Sequence, residues 1–298
     1  MSNSSKWIIG ILLAFFFFAG LFFLTFYAWL FSEPEDETAS NFGDKVALVE
    51  LREPILSSED VVRQFKKFRD NKSIKAIVFR VESPGGGVAA SQEIYEEVKK
   101  TRESKPVVVS MGSVAASGGY YVSLGATRIV ANPGTVTGSI GVIFQFIHVN
   151  ELLKKIGIDA TTFKSGKFKD AGSPFRKPTE EEKVYFGELI GDVYDQFVRA
   201  VMTERKMSRS KVVKYADGRV FTGRMGVEYG FVDTLGTLED AVNIAAELGN
   251  VRGKPRVVKE RKLRPFLDRL LGEAATEIAS LRDEFLRQPI VQYKFVSP

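Results

Sequence analysis

No cysteine occurs among the 298 residues, and histidine occurs once, at His148. A thiol nucleophile and a cysteine-ligated zinc or iron-sulfur centre are therefore excluded. So is the H-E-x-x-H zinc signature, which needs two histidines. Metal catalysis would have to rest on carboxylates, and neither a metal nor a cofactor is expected. A serine nucleophile would have to pass its proton either to His148 or to a group that is not histidine. His148 sits in SIGVIFQFIHVNELLKK, an apolar strand-like run giving way to a helix, and reads there as a structural residue at a strand end. Lysine is left as the natural base, because a buried amine loses its proton readily once desolvated. Among 42 lysines and arginines, composition does not say which.

Clustered charge is also scarce before the last fifty positions. The net charge is +5, but the basic residues are dispersed along helices and no nucleic-acid motif accompanies them, so nucleic acid is not an expected partner. With 44% hydrophobic and 27% charged residues, the chain can build one sizeable core or two small ones. No internal repeat is found.

One long uncharged run is present, the 25 positions from Trp7 to Phe31. At 1.5 Å per residue this is enough to cross a hydrocarbon core of about 30 Å. It is too long for a signal-peptide h-region, and TFYAWLFSEPEDE after it lacks a small-x-small cleavage site, so an uncleaved single-pass anchor is expected. Trp7, Tyr27 and Trp29 are placed as interfacial aromatics. Lys6 before the span, and Glu33, Glu35, Asp36 and Glu37 after it, point the body of the protein to the extracytoplasmic side. The expected organisation is a cytoplasmic N-terminus (1–6), a transmembrane anchor (7–31), a linker (32–44), a main domain (45–249) and a basic, then amphipathic, C-terminal extension (250–298).

From Lys45 onward strands and helices alternate. Strands are predicted over 45–51, 74–81, 106–111, 128–131, 140–147 and 161–164, and helices over 57–70 and 88–101, with another after Ser117. Alternation of this kind argues for parallel strands joined by right-handed crossovers. A long amphipathic helix follows KPTEEEK, opened by a capping box of Thr179 and Glu182. A strand, helix, turn, helix pattern closes the domain over 216–249.

Three runs can carry chemistry. In VVVSMGSVAASGGYYVSLGA, a β-branched stretch meets small residues and then a helix-compatible segment. Ala115, Ala116, Gly118 and Gly119 let the backbone turn tightly around Ser117, a nucleophile elbow without its G-x-S-x-G spelling, although small residues there also serve close packing. SPGGG (83–87) follows a strand and opens a helix, so its N–H groups can face an anion, either a phosphate or the oxyanion of an acyl-transfer intermediate; the spacing fits neither G-x-G-x-x-G nor a P-loop. FKSGKFKDAGSPF (163–175) sets Lys164, Lys167 and Lys169 around a glycine, as either a solvated basic loop or the source of a base.

Taken together, SPGGG, GSVAASGGYY, GTVTGSIGV, KSGKFKDAGSP and DGRVFTGRMGVEYGFVD resemble the signal peptide peptidase A (SppA) family of bacterial membrane serine peptidases. The resemblance runs from about Lys45 to Gly249 and follows the short form with one peptidase domain. It implies an α/β fold of the ClpP/crotonase type, a spiral of ββα units, and a Ser-Lys dyad. Position by position, Ser117 matches the nucleophile, Lys169 the general base, Ser139 the serine that orients that lysine, and Gly86 and Gly118 the oxyanion hole. Glu82 departs from the asparagine that relatives often carry before SPGGG. The resemblance further implies an inner-membrane endopeptidase facing the periplasm, whose substrates are cleaved signal peptides and other hydrophobic peptides, and which meets membrane lipid. It also implies a dome- or ring-like homo-oligomer, an octamer being one candidate size, in which neighbours complete each site. A crotonase-type acyl-CoA enzyme and an inactive membrane scaffold are the alternatives on the same fold.

In the extension, Pro265 to Arg287 reads as an amphipathic helix and IVQYKFV (290–296) as an extended apolar segment suited to lie along a neighbouring subunit's cleft as an added strand.

Overall fold

The computed structural model describes residues 7, 12, 15–25, 43–260 and 292–294. The chain divides into two compact units, 1–41 and 42–298. In the first, residues 15–25 are helical. Among the described residues no helix is long and apolar enough to cross a membrane. The remainder of the expected span 7–31 and nearly all of the linker lie outside the described residues.

The second unit is built on a mixed sheet. Its central strands are β1 (Lys45–Arg52), β2 (Ile74–Ser83) and β4 (Val107–Ala116), which pair in parallel in the order β4-β2-β1. β4 is long enough to be shared. Its first half pairs with β5 (Arg128–Ala131), and its second half with β6 (Val136–Gly138), both in parallel. β7 (Val220–Thr222) extends β6 antiparallel, and the two-residue β8 (Thr234–Leu235) extends β5. β3 (Gly85–Gly87) peels away from the end of β2.

Period-two alternation sorts the side chains of these strands to opposite faces. Ala47, Val49, Ile77, Phe79, Val107, Val109 and Met111 enter the larger core with Phe65 and Phe68 of helix α1 (Glu59–Asp70) and Ile94 and Val98 of α2 (Val88–Arg102). Val46, Ala76, Val78, Val108 and Val130 face the other way, onto Ala241, Ala245 and Ala246 of a C-terminal helix over Leu238–Leu248. Phe65 and Phe79 meet edge to face at 5.1 Å, so truncating either would cost about 3–5 kcal/mol.

Helices α3 (Gly118–Ser123) and α4 (Asn150–Lys155) precede the long α5 (Glu180–Arg205), which begins with the expected capping box: the Glu182 N–H donates to Thr179 Oγ1 and the Thr179 N–H donates to the Glu182 carboxylate. α6 (Arg209–Val213), α7 (Gly223–Tyr229) and α8 (Leu238–Leu248) complete the helices among the described residues of this unit.

Two expected strands do not form. Residues 140–147 make only the single bridge Ile143–Gln292, because Phe144 and Phe146 pack with Phe186 of α5 rather than alternating across a sheet. Residues 161–164 are exposed coil. Two strands arise instead from the extension. β9 (Arg256–Lys259) pairs with β1 at the sheet edge, and β10 (Gln292–Lys294) pairs antiparallel with β3. In this single chain the added strand pairs with its own β3, where Tyr293 is buried. The expected helix over 265–287 lies outside the described residues.

Candidate active site

Ser117 joins β4 to α3 with φ 53° and ψ −114°, a left-handed backbone that an L-residue adopts only when its surroundings enforce it. Two hydrogen bonds enforce it: the Ser117 N–H donates to the Gly138 carbonyl at 2.8 Å, and the Tyr121 N–H donates to the Ser117 carbonyl at 2.8 Å. The Thr137 hydroxyl also donates to the Ala115 carbonyl at 2.7 Å, tying β6 to the approach of the turn. The elbow expected from the small-residue run is present, and the serine is nearly buried.

The glycine loop lies directly against this turn. Gly85 has φ 101°, and a Cβ placed on it would come within 2.6 Å of the Gly118 nitrogen. A Cβ on Gly118 would lie 3.1 Å from the Gly86 nitrogen. Only glycines allow the two backbones to approach this closely, and the approach makes the Gly86 and Gly118 amides neighbours beside Ser117. The Ser83 hydroxyl donates to the Glu53 carbonyl and accepts from the Gly85 N–H, fixing the loop's start. Glu82 accepts from the Ser113 and Val114 N–H groups at 3.0 and 3.1 Å, across the irregularity between β2 and β4. Its carboxylate thus links the glycine strand to the nucleophile strand, a use that the sequence did not signal.

Ser117 and Ser139 line one cavity of about 630 Å³ with Val142, Ile143, Ile190 and Tyr194. Ser139 also has positive φ, 50°, and its N–H donates to the Arg219 carbonyl at 2.8 Å. Asp217 stands at the same cavity, where its hydrogen bonds from Arg219 hold its carboxyl down to about 2, so at neutral pH it is a carboxylate occupied by a cation.

Lys169 is placed elsewhere. It is exposed, on the loop between α4 and α5, and is not among the residues lining the cavity of this chain; the exposed Lys167 pairs with Glu181. His148 is exposed just before α4 and is likewise absent from the cavity. The structure therefore brings Ser117, Ser139, Gly86 and Gly118 together, and leaves Lys169 outside the group. Among the described residues no cluster of histidine, aspartate or glutamate could hold a metal ion.

β10 lies along the glycine loop. Gln292, Tyr293 and Lys294 oppose Gly87, Gly86 and Gly85. On the other side, Ile143 and Gln292 exchange backbone hydrogen bonds at 3.2 and 3.4 Å. Tyr293 is fully buried, stacked on Tyr121 at 5.2 Å and tilted against Phe197 at 4.7 Å, with its hydroxyl donating to the Val193 carbonyl at 3.1 Å. Burial pushes its phenol pKa up. A Cβ on Gly85 would lie 1.9 Å from the Tyr293 carbonyl oxygen, which places that carbonyl at the Gly85–Gly118 contact. The Lys294 side of the strand reaches the Ser117 cavity.

Comparison with known proteins agrees with this geometry. The model of peptidase family S49 matches residues 99–252, and that of Clp protease matches residues 48–133, which identifies the α/β fold as ClpP-like. A Synechocystis protein carrying a provisional protease designation is 42% identical over 208 residues, 70% of this chain and 75% of that protein. A provisional signal peptide peptidase SppA of Enterococcus faecium is 41% identical over 186 residues, 62% of this chain and 54% of that protein. Protease 4 of Haemophilus influenzae is 37% identical over 224 residues, 71% of this chain and 36% of that protein. The chain thus spans three-quarters of the first relative's length and about half and one-third of the other two.

Proposed function

Because the chain belongs to peptidase family S49, the SppA-type serine peptidases, we propose that it is a membrane-anchored serine endopeptidase that degrades remnant signal peptides and other hydrophobic peptides through a Ser117–Lys169 dyad. The observation that carries the reading is the strained Ser117 elbow beside the glycine loop, with an extended peptide segment already seated along that loop. In the reaction, Lys169 Nζ takes the Ser117 hydroxyl proton as Oγ attacks the scissile carbonyl. The Gly86 and Gly118 N–H groups receive the resulting oxyanion, and Ser139 holds the lysine. Collapse expels the amine half of the peptide with the proton from Lys169, leaving an acyl-serine. Water, deprotonated by Lys169, releases the second product.

The exposed position of Lys169 supports a further part of the reading, that the working unit is a homo-oligomer in which a neighbouring copy completes and dries each site. The uncharged run 7–31 supports anchoring in a bacterial inner membrane with the peptidase domain on the periplasmic side. The slot between Tyr121 and Phe197 supports apolar and aromatic side chains as the recognised class. Fluorophosphonate labelling followed by peptide mapping tests the chemistry: the adduct is expected on Ser117, and an adduct elsewhere, or none, rules the reading out.

The seated tail yields a separate expectation. A substrate that pairs with Gly85–Gly87 must displace β10, whose tether gives it a high local concentration. Deleting residues 288–298 is expected to lower KM for an apolar reporter peptide several-fold while lowering thermal stability by a few degrees, as the Tyr293 contacts are lost. Steady-state kinetics and a melting curve of the truncated chain check both; an unchanged KM excludes competition by the tail.

A further inference from the structure

Residues 156–179, which carry Lys169, contain neither helix nor strand, and Gly157, Gly166 and Gly172 fall within them. Short turns shape the segment locally, among them Lys169 N–H to the Gly166 carbonyl and Ser173 N–H to the Asp170 carbonyl. Several contacts tie it to the body of the protein, among them the Val149 N–H to the Pro174 carbonyl at 2.8 Å and Phe168 against Tyr185 of α5, and the densest cluster is at Arg176. Its Nε and Nη2 donate to the two oxygens of Asp170 at 2.8 Å, its Nη1 donates to Glu182 Oε2 at 2.8 Å, and Nη2 donates to Glu182 Oε1 as well. Glu182 is buried, and is held in turn by the Thr179 N–H of the α5 capping box. Asp170, the residue after Lys169, also accepts from Lys164.

We propose that Arg176 is a positioning residue for Lys169, acting in two ways through Asp170. It anchors the loop on the α5 N-terminus, so that the amine is presented from a fixed base, and with Lys164 it occupies the carboxylate next in sequence, which would otherwise compete more strongly for the lysine's proton. The inference rests on the reading of Lys169 as the general base.

The charge balance around the loop fits this division of labour. Besides Lys169, its own charged groups are Asp159, Lys164, Lys167, Asp170, Arg176 and Lys177, and α5 presents Glu180, Glu181, Glu182 and Lys183. Lys167 pairs with Glu181, Lys177 with Glu151 of α4, and Lys183 with Glu180. Glu182 pairs with Arg176, and Asp170 is shared between Arg176 and Lys164. Hydrogen bonds from Arg176, joined at Asp170 by Lys164, hold Asp170 well below the usual carboxylate range and Glu182 at about 2. Because both values are depressed, the clamp is fully present above the ordinary carboxylate pKa and is lost only as pH falls toward about 2. Between pH 5 and pH 9 the clamp therefore does not titrate, and a moving limb in that window reports the base.

The test compares Arg176→Ala, Asp170→Asn, the Arg176→Ala/Asp170→Asn pair and Lys169→Ala in the full chain, reading kcat, KM, the pH profile of kcat/KM, melting temperature and assembly size. Arg176→Ala is expected to lower kcat by about 10- to 100-fold with KM within about two-fold, and to move the acid limb to higher pH as Asp170, left with Lys164 alone, holds the lysine's proton more strongly. Adding Asp170→Asn is expected to return the limb while kcat stays low. Wild-type kcat with an unmoved limb in Arg176→Ala overturns the inference, and so does a joint collapse of kcat, melting temperature and assembly in which the pair leaves the limb unchanged. If Arg176→Ala does not fold, Asp170→Asn alone decides: a lowered kcat without an upward limb shift supports the clamp, and wild-type kcat overturns it. Lys169→Ala separates the two levels. Activity retained there removes the base assignment, whereas an inactive Lys169→Ala beside a fully active Arg176→Ala removes only the clamp.

Discussion

Replacing Ser117 with alanine is expected to lower kcat for an apolar reporter peptide by roughly 10⁴- to 10⁶-fold, with the melting temperature within a few degrees of the parent. The two expectations are coupled by the geometry of the elbow. The bonds that impose the left-handed turn run through the main chain, from the Ser117 N–H to Gly138 and from Tyr121 to the Ser117 carbonyl, so alanine keeps both. Alanine accepts the positive φ at a small cost, about 1 kcal/mol, which serine already bears. Removal of Oγ leaves the neighbouring glycine amides in place but gives the scissile carbonyl no nucleophile to meet. Residual turnover within ten-fold of the parent, measured with active-site-titrated protein, would reject Ser117 as the attacking residue.

The second large effect concerns Lys169. Lys169→Ala is expected to be inactive to a similar degree, and mixing it with Ser117→Ala is expected to restore activity. In this chain the serine lies nearly buried beside the cavity and the lysine stands in solvent outside it. A basic amine requires a surface that dries it. If that surface is the cleft of an adjacent copy, each working site takes its serine from one chain and its lysine from the next. An equal mixture of the two variants, randomly assembled in a closed ring, then contains about one working site in four, the product of two even chances. Refolding or subunit exchange of tagged chains, followed by a peptidase assay, reads this directly. Activity of the mixture no greater than that of the separate variants would mean that both residues must come from one chain, and a closing motion of the 156–179 loop would have to replace assembly.

Much of the framework was legible from local pattern. β1, β2 and β4 appear where β-branched runs occur, and the Thr179–Glu182 box begins α5 where expected, because both signals depend on residues close in the chain. The small residues around Ser117 announced a tight turn, and the turn formed. The expected strand at 140–147 failed for the opposite reason. Its apolar run is real, but Phe144 and Phe146 answer to Phe186, a partner some forty positions away that no local window weighs. The seating of Tyr293 on Tyr121 and Phe197 is longer-range still, and only the extended apolar character of 290–296 hinted at it. Arg176 carried no signal of its own; its meaning depends on Asp170 and Glu182 converging from a loop and a helix.

The strand seated over the glycine loop touches main chain on both flanks, Gly87 on one and Ile143 on the other. On the proposed reading, a substrate that takes the place of β10 would arrive as an unravelled ribbon, having exchanged its internal helical hydrogen bonds for ones to the walls of the groove. On the same reading, a hydrophobic segment still coiled in a bilayer has no free amides to offer, so unwinding and withdrawal from lipid would precede scission. The groove thereby tests the shape of the backbone before the aromatic slot tests any side chain.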